Sequence, residues 1–439
     1  MNLFPSEALN PGVRRREVFG WAMYDFANSG YTTVVLTAVF NAYFVGAVAG
    51  GAEWATLAWT LALAASSALV MLTMPVLGAL ADLHAMKKRL LVATTAGCVV
   101  ATAALATVQP GDVAWALVLV VVSNLFYAYG ETLIAAFLPE LARAPAMGRV
   151  SGWGWSFGYF GGMLALGLSL AWVLSAQARG ERAADYVPAT MLITAVLYGG
   201  AAVVTFALLR ERARPLAAAG AAAPGLVATF AASGQRLRQT WAHAREHRDF
   251  LWLLACGLAY QAGISVVIAL AAVYAEQVLG FKQVDTMMLV FLVNIAAALG
   301  AFSFGYAQDR LGHRRALALT LAGWIMMTLL AWLATGPGLF WVATVIAGLC
   351  MGSSQSAGRA LAGLLAPPLR LAEYFGLWTF ATRLAAIIGP VTYGMVTWLT
   401  GGNHRLAILS TAVFFVIGLL LVARIDVERG RAAALATGD

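Results

Sequence analysis

The order of apolar and polar positions divides the chain into runs of about 20 mostly apolar residues, each long enough to cross a bilayer as a helix. Twelve such runs begin near residues 19, 55, 90, 113, 150, 188, 250, 284, 316, 338, 374 and 403. The connections are short except for one, over residues 210–249, where the stretch from Pro215 to Gly225 is Ala-rich and reads as a flexible linker. Beyond it, Leu226, Phe230, Leu237 and Trp241 set against Arg236, Arg238 and Arg245 suggest a helix lying on the membrane surface. The pattern predicts an all-α integral membrane protein with a six-helix bundle over 1–209, a linker over 210–249, a second six-helix bundle over 250–425 and a tail over 426–439. That tail is short and charged and is expected to be loose.

Composition supports the spans. The chain is 61% hydrophobic and 11% charged, with a mean hydropathy of +0.80, whereas soluble domains carry about 25% charged residues. Charge then orients the spans. Basic residues on the side of the termini are Arg14–Arg16, Lys87–Arg89, Arg143, Arg149, seven arginines of the linker, Arg310, Arg314, Arg315, Arg370, Arg424, Arg429 and Arg431, a total of 22. The other side has four: Arg179, Arg182, Lys282 and Arg405. By the positive-inside rule both termini are expected in the cytoplasm. The net charge of +8 is thus a topology signal, and its dispersal over short loops argues against nucleic-acid binding. Cys98, Cys256 and Cys350 all fall inside spans, so no disulfide framework is implied. The stretch from Met1 to Arg16 has no small-residue cleavage site, which argues against a removable signal peptide.

The chain contains an internal duplication. Gly305-Tyr-Ala-Gln-Asp309-Arg310-Leu-Gly312-His313-Arg314-Arg315 follows the second span of its half, and 227 residues earlier stands Gly78-Ala-Leu-Ala-Asp82-Leu83-His-Ala85-Met86-Lys87-Lys88. The second copy resembles, residue for residue, the loop between helices two and three of the major facilitator superfamily. That resemblance implies two pseudo-symmetric six-helix bundles and alternating access. A narrower likeness begins at Tyr24-Asp25-Phe26-Ala27-Asn28-Ser29, which resembles the opening of the vacuole-effluxer-like branch, the group of the autophagy-related vacuolar amino-acid effluxers and their bacterial relatives. Phe137-Leu-Pro139-Glu140-Leu141, Gly158-Tyr159-Phe-Gly161-Gly162 and the stretch from Phe375-Gly376 to Gly389-Pro390 resemble it too. In span ten the chain has Gln355-Ser356-Ala357-Gly358-Arg359 where that family usually has Ser-Arg-Ser. The likeness implies export or release of small polar nutrients, with amino acids the favoured class.

Polar residues inside the spans mark the chemistry. Asp25, Asn28 and Thr32 share one face of the first span. The first spans of each three-helix unit also carry Asn124 and Glu131, Gln261 and Ser265, and Gln355, Ser356 and Arg359, whereas spans three, six, nine and twelve hold no central charge. Spans one, four, seven and ten are therefore expected to line a wet cavity. Only Asp25, Glu131, Arg359 and Arg383 are carboxylate or guanidinium groups well within spans. An unpaired charge at membrane depth costs at least about 2.5 to 3.5 kcal/mol, so Arg383 is expected to pair with Asp25 or Glu131, either as a permanent brace or as one that exchanges partners with substrate. A carboxylate so placed can take up a proton, which makes Glu131 or Asp25 a candidate for coupling. The amides Asn28, Asn124, Gln261 and Gln355 both donate and accept, suiting a zwitterionic or polar ligand. Gly154, Gly158 and Gly162 recur every four residues and suggest close helix approach.

Gly78, Asp82, Lys87 and Lys88, with Gly305, Asp309, Arg310, Arg314 and Arg315, are expected to form gate elements that hold the inner face closed by ion pairs, joined by Glu140 and Arg149. His243 and His247 stand one helical turn apart without a third ligand, which is too little for a metal site. The chain has no Walker loop, Gly-x-Ser-x-Gly or His-Glu-x-x-His, so neither ATP as the driving force nor an integral-membrane enzyme is indicated, and an ion or substrate gradient is expected to drive the cycle. The reading is a monomeric secondary transporter of a bacterial inner membrane, its partners a small-molecule substrate, protons and the bilayer, with no cofactor. The alternatives are a proton-coupled exporter of drugs or amphiphiles and, in another class, a membrane sensor or scaffold.

Overall fold

The computed structural model describes residues 4–213, 215, 247–281 and 283–436. The surface helix expected over Leu226 to Arg245, with His243 inside it, lies outside these residues. Among the described residues there are twelve helices long and apolar enough to span a membrane. They are α1 (Arg15–Val48), α2 (Ala55–Leu83), α3 (Lys87–Ala104), α4 (Val113–Ala135), α5 (Met147–Ala178), α6 (Ala183–Leu208), α7 (Arg248–Leu279), α8 (Gln283–Leu311), α9 (His313–Leu333), α10 (Pro337–Leu365), α11 (Leu371–Leu399) and α12 (His404–Val422). No described residue belongs to a strand, and one isolated bridge joins Leu9 to Ala142. In lipid every backbone polar group must be satisfied within its own segment, which leaves helices as the spanning unit for such a chain.

The helices form two six-helix bundles, α1–α6 and α7–α12, that meet along α2 against α11 and α5 against α8. The approach is backbone to backbone, made possible by glycine. A Cβ on Gly78 would strike the Ala372 carbonyl, and one on Gly376 would lie against the Pro75 backbone. At the other contact Gly152 abuts the Ala301 carbonyl, and Gly305 abuts Gly148 and Arg149. Each interface thus uses glycine from both helices, and this explains the repeated glycine of the duplicated motif.

α1 is not a regular helix throughout. Thr32–Ala38 and Phe44–Val48 are π-helical, with one α turn, Phe40–Tyr43, between them. Thr32, Thr33 and Thr37 turn their hydroxyls back to carbonyls three to five residues earlier, in competition with the regular ladder.

Both described ends of the chain lie at one face, called the terminal face below. The amino-terminal stretch is strapped to it: Asn10 donates its amide to the Pro139 and Glu140 carbonyls at 2.9 and 3.1 Å, and Phe4 meets Trp153 edge-on at 5.1 Å. The tail, expected to be loose, forms a helix, α13 (Val427–Ala436), docked on the start of α7. Buried Asp249 holds it by two bonds from Arg429, at 2.7 and 2.8 Å, and one from the Asp426 backbone at 2.8 Å. The sequence suggested looseness because α13 is polar on its exposed side, but its anchor lies far away in the chain.

Candidate functional site

The four charges found inside the spans form two ion pairs, and both join the bundles. The first is Arg359 of α10 with Asp25 of α1, at 2.7 Å. α5 makes room for it, since a Cβ on Gly154 would fall on the Asp25 carboxylate and the Arg359 guanidinium. Arg359 also donates to the Ser151 hydroxyl at 3.1 Å and the Ser151 carbonyl at 2.7 Å. Its guanidinium lies over Trp21 at 4.7 Å and Trp155 at 5.3 Å, where the ring faces attract a desolvated cation. Side-chain exposure is 8% for Arg359 and 10% for Asp25, so the pair is sealed.

The second pair is Arg383 of α11 with Glu131 of α4, at 3.1 Å. Here exposure is 20% and 40%, so this pair faces open space. Of the two partners expected for Arg383, the structure chooses Glu131. Tyr127, one turn away on α4, is stacked on Tyr31 with ring centroids 5.2 Å apart. The Thr132 and Thr379 hydroxyls, 2.7 Å apart, join α4 to α11 beside the pair.

The amides divide between the bundles. Gln261 donates to Gln355 at 2.7 Å, which links α7 to α10. Asn124 donates to the Ser66 hydroxyl at 3.0 Å, and its own buried carbonyl oxygen has no partner among the described residues. Asn28 is buried beside Asp25 on α1 and accepts at 3.4 Å from Ser29. Cavities elsewhere include an apolar one of 40 Å³ between Val267, Tyr274, Leu289 and Phe340, and a cleft of 570 Å³ near Tyr393, Trp398 and His404. Neither touches the ion pairs.

The terminal face is closed by one of the ion pairs expected of it, Asp309 with Arg149, and by helix caps that were not expected. Asp82 accepts the backbone N–H groups of Ala372 and Glu373, at 3.2 and 2.9 Å, and so caps α11 of the other bundle. Asp309 accepts those of Gly148 and Arg149, at 2.9 and 3.3 Å, and caps α5, with the Arg149 guanidinium adding an ion pair at 3.1 Å. Lys87 is buried, pairs with Glu140 within its own bundle and lies under the Phe137 ring at 5.2 Å. Lys88 donates to the Leu209 carbonyl at 2.6 Å. Arg310, Arg314 and Arg315 are exposed and make no ion pair among the described residues.

Further cross-bundle hydrogen bonds run from Ser156 to the Ala298 carbonyl at 2.9 Å and from Ser151 to the Ser356 carbonyl at 2.9 Å. The two bundles are thus shut against each other at the terminal face.

Sequence reasoning missed several contributors. Ser151, Trp21 and Trp155 around Arg359 carried no signal beyond the density of tryptophan near both. Glu211 and Arg212 were read only as linker. Glu211 accepts from the Lys87 and Lys88 backbones at 2.7 and 3.1 Å, and burial raises its carboxyl above the ordinary range. Arg212 pairs with buried Glu17 at 2.7 Å. No group of three or more His, Cys, Asp or Glu able to hold a metal ion occurs among the described residues.

Comparison with known proteins places this geometry. The model of a family described as vacuole effluxer Atg22 like matches residues 45–435. An uncharacterized MFS-type transporter of Bacillus subtilis, YxiO, is 25% identical over 417 residues, covering 93% of this chain and 94% of that protein. Autophagy-related protein 22-1 of Penicillium rubens is 28% identical over 217 residues, which are 46% of this chain and 36% of the fungal protein. Among solved structures, the human organic anion transporter MFSD10 (TETRAN) superposes with a TM-score of 0.72 at 16% identity, covering 93% of this chain and 99% of that one. The proton:xylose symporter XylE superposes with a TM-score of 0.68 at 14% identity, covering 93% and 95%. At such identities the superpositions speak for the fold.

Proposed function

This chain belongs to the vacuole effluxer Atg22-like family of major facilitator transporters, and from that premise we propose that it exports a small zwitterionic nutrient of the amino-acid class by alternating access. The observation that carries the substrate class is the half-exposed Glu131–Arg383 pair. Each partner belongs to a different bundle, and each is the complement of one end of a zwitterion. A ligand ammonium on Glu131 and a ligand carboxylate on Arg383 replace one ion pair by two, so no charge is left uncompensated during exchange.

The terminal face is cytoplasmic in this reading, because the order of the spans assigns 22 basic residues to the side of the termini and four to the other. The membrane is the bacterial inner membrane and the working unit a monomer. An ion gradient drives the cycle. Capping of α5 and α11 by Asp309 and Asp82 supports a cavity that opens away from the cytoplasm, the form from which an exporter releases its cargo.

A thermal-shift panel of amino acids, short peptides, nucleosides, sugars and cationic amphiphiles on the purified chain tests the substrate class. A ligand at tenfold its Kd adds about 1.4 kcal/mol. A neutral amino acid that stabilises the wild type but neither Glu131→Gln nor Arg383→Met is the expected result. Stabilisation by cationic amphiphiles alone would replace this reading with that of an amphiphile exporter.

A further inference from the structure

The bond between Asp25 and Arg359 fixes how α1 and α10 face each other, and with it the residues one turn farther from the terminal face. α1 runs away from that face and α10 toward it, so the next residue on the same side is Asn28 on α1 and Gln355 on α10, each about 5 Å beyond the sealed pair. Gln355 is tied at 2.7 Å to Gln261 of α7. Three amides from three helices thus form a floor above an ion pair whose charges cancel. The open pair stands beside this floor. Glu131 lies within electrostatic reach of both Asp25 and Arg359. α7 and α11 run side by side, with Gly257 against Trp378 and Gly389 against the Ala262 carbonyl, which puts Gln261 and Arg383 at one level.

The floor has hydrogen bonds to give. Gln355 commits its carbonyl to the Gln261 amide, and its own NH2 group donates to no described residue. The NH2 group of Asn28 likewise donates to none, and its carbonyl oxygen accepts once, from Ser29 at 3.4 Å, where it can accept twice. Asn28 and Gln261 are buried and Gln355 is half-buried. The group complementary to this set both accepts and donates and bears no charge.

We propose that Asn28, Gln261 and Gln355 select amino acids whose side chain ends in a carboxamide. The proposal rests on the zwitterion reading, in which Glu131 and Arg383 hold the ammonium and carboxylate, and adds the side chain that goes with them. A carboxamide carries its acceptor and donor on separate atoms, so it can bridge α1 and α10 as a single hydroxyl oxygen cannot. A hydrocarbon or thioether of equal length would leave the amides desolvated and unpaired, and sites built from hydrogen-bonding groups reject such analogues strongly. A side-chain carboxylate would bring an uncompensated charge, since Asp25 and Arg359 already neutralise each other.

Isothermal calorimetry on the full chain in detergent tests this, with L-glutamine, L-methionine, L-glutamate and L-serine as titrants. Methionine matches glutamine in length and lacks the amide. The wild type should bind glutamine at least about tenfold more tightly than each of the others. Gln355→Met should weaken glutamine at least about tenfold and leave methionine unchanged or tighter, and Asn28→Leu should do the same. A variant damaged only in its fold would instead lose both ligands together. Methionine, glutamate or serine bound by the wild type as tightly as glutamine overturns the proposal while the zwitterion reading stands. So does a preference for glutamine that survives both variants. If no amino acid binds, the zwitterion reading itself falls and takes the proposal with it.

Discussion

Asp82 and Asp309 make the same bond in opposite directions: Asp82 of the first bundle caps α11 of the second, and Asp309 of the second caps α5 of the first. The first N–H groups of a helix have no partner of their own, and a carboxylate there also meets the positive end of the helix dipole. Because cap and capped helix belong to different bundles, each bond exists only while the terminal face is shut.

Asp82→Ala and Asp309→Ala should therefore each remove about 1 to 2 kcal/mol from the closed form, a factor of about 5 to 30 in its population. The double variant should come close to the sum, since the two caps share no partner. Maleimide labelling of Ser356→Cys, which is buried behind this face, reads the effect as a faster rate.

Gly78→Ala and Gly152→Ala should be poorly tolerated, because the added methyl meets the carbonyls of Ala372 and Ala301 on the opposing helices. Overpacking of this kind costs about 1 to 3 kcal/mol. Gly167→Ala, where nothing lies within 4 Å of the new Cβ, should melt and transport like the wild type. Thermal unfolding in detergent compares the three.

Glu131→Gln should separate activity from stability. The pair is partly exposed, so its worth to the fold is about 1 kcal/mol or less, and the melting temperature should barely move. Uptake of the stabilising amino acid into inverted membrane vesicles should fall at least about tenfold, the equivalent of one lost charged contact of about 1.4 kcal/mol.

Asp25→Leu should behave in the opposite way. It strands a guanidinium that is 8% exposed, and removal of one partner of a buried pair costs about 3 to 5 kcal/mol. Adding Arg359→Met should recover much of that loss, and a double-mutant cycle on chemical denaturation would measure the coupling.

Glu211 gives a pH dependence. Burial raises its carboxyl above the usual 4.5, against the pull of the Lys88 and Lys87 backbone donors. A raised value means that the folded state holds the proton more tightly than the unfolded one. Its contribution to docking the segment after α6 is thus fully present below about pH 4.5 and lost as pH rises through the raised value. Amide exchange at residues 209–213, corrected for its intrinsic rate, should be slower at the acidic end, and Glu211→Gln should abolish the difference.

Much of this was legible beforehand. The helices begin within about five residues of the expected starts, because length and hydropathy suffice to define a span. The four charges inside the spans were evident as well, since a charge in an apolar run stands out. What escaped was partnership: Arg359 meets a residue 334 positions away, and its other contacts are a serine and two tryptophans that no local rule marks. The gate aspartates were found by repetition, and the pairing of Asp309 with Arg149 follows the expectation, but the backbone caps escaped it, because a list of side chains does not show a helix end arriving from the other bundle.

The sequence alone determined twelve crossings, their duplication, the side that gathers the basic residues and the identity of the charges that had to be compensated. These follow from free energies that depend on a residue and its near neighbours in the chain: transfer of a 20-residue segment into hydrocarbon, and attraction of loop cations to one side. Tertiary structure decided which charge compensates which, which pair is sealed and which open, and which face is shut. Those properties depend on how helices from the two bundles are rotated and brought together, and glycine contacts such as Gly78 on Ala372 and Gly154 on Asp25 set that packing only once both partners are present.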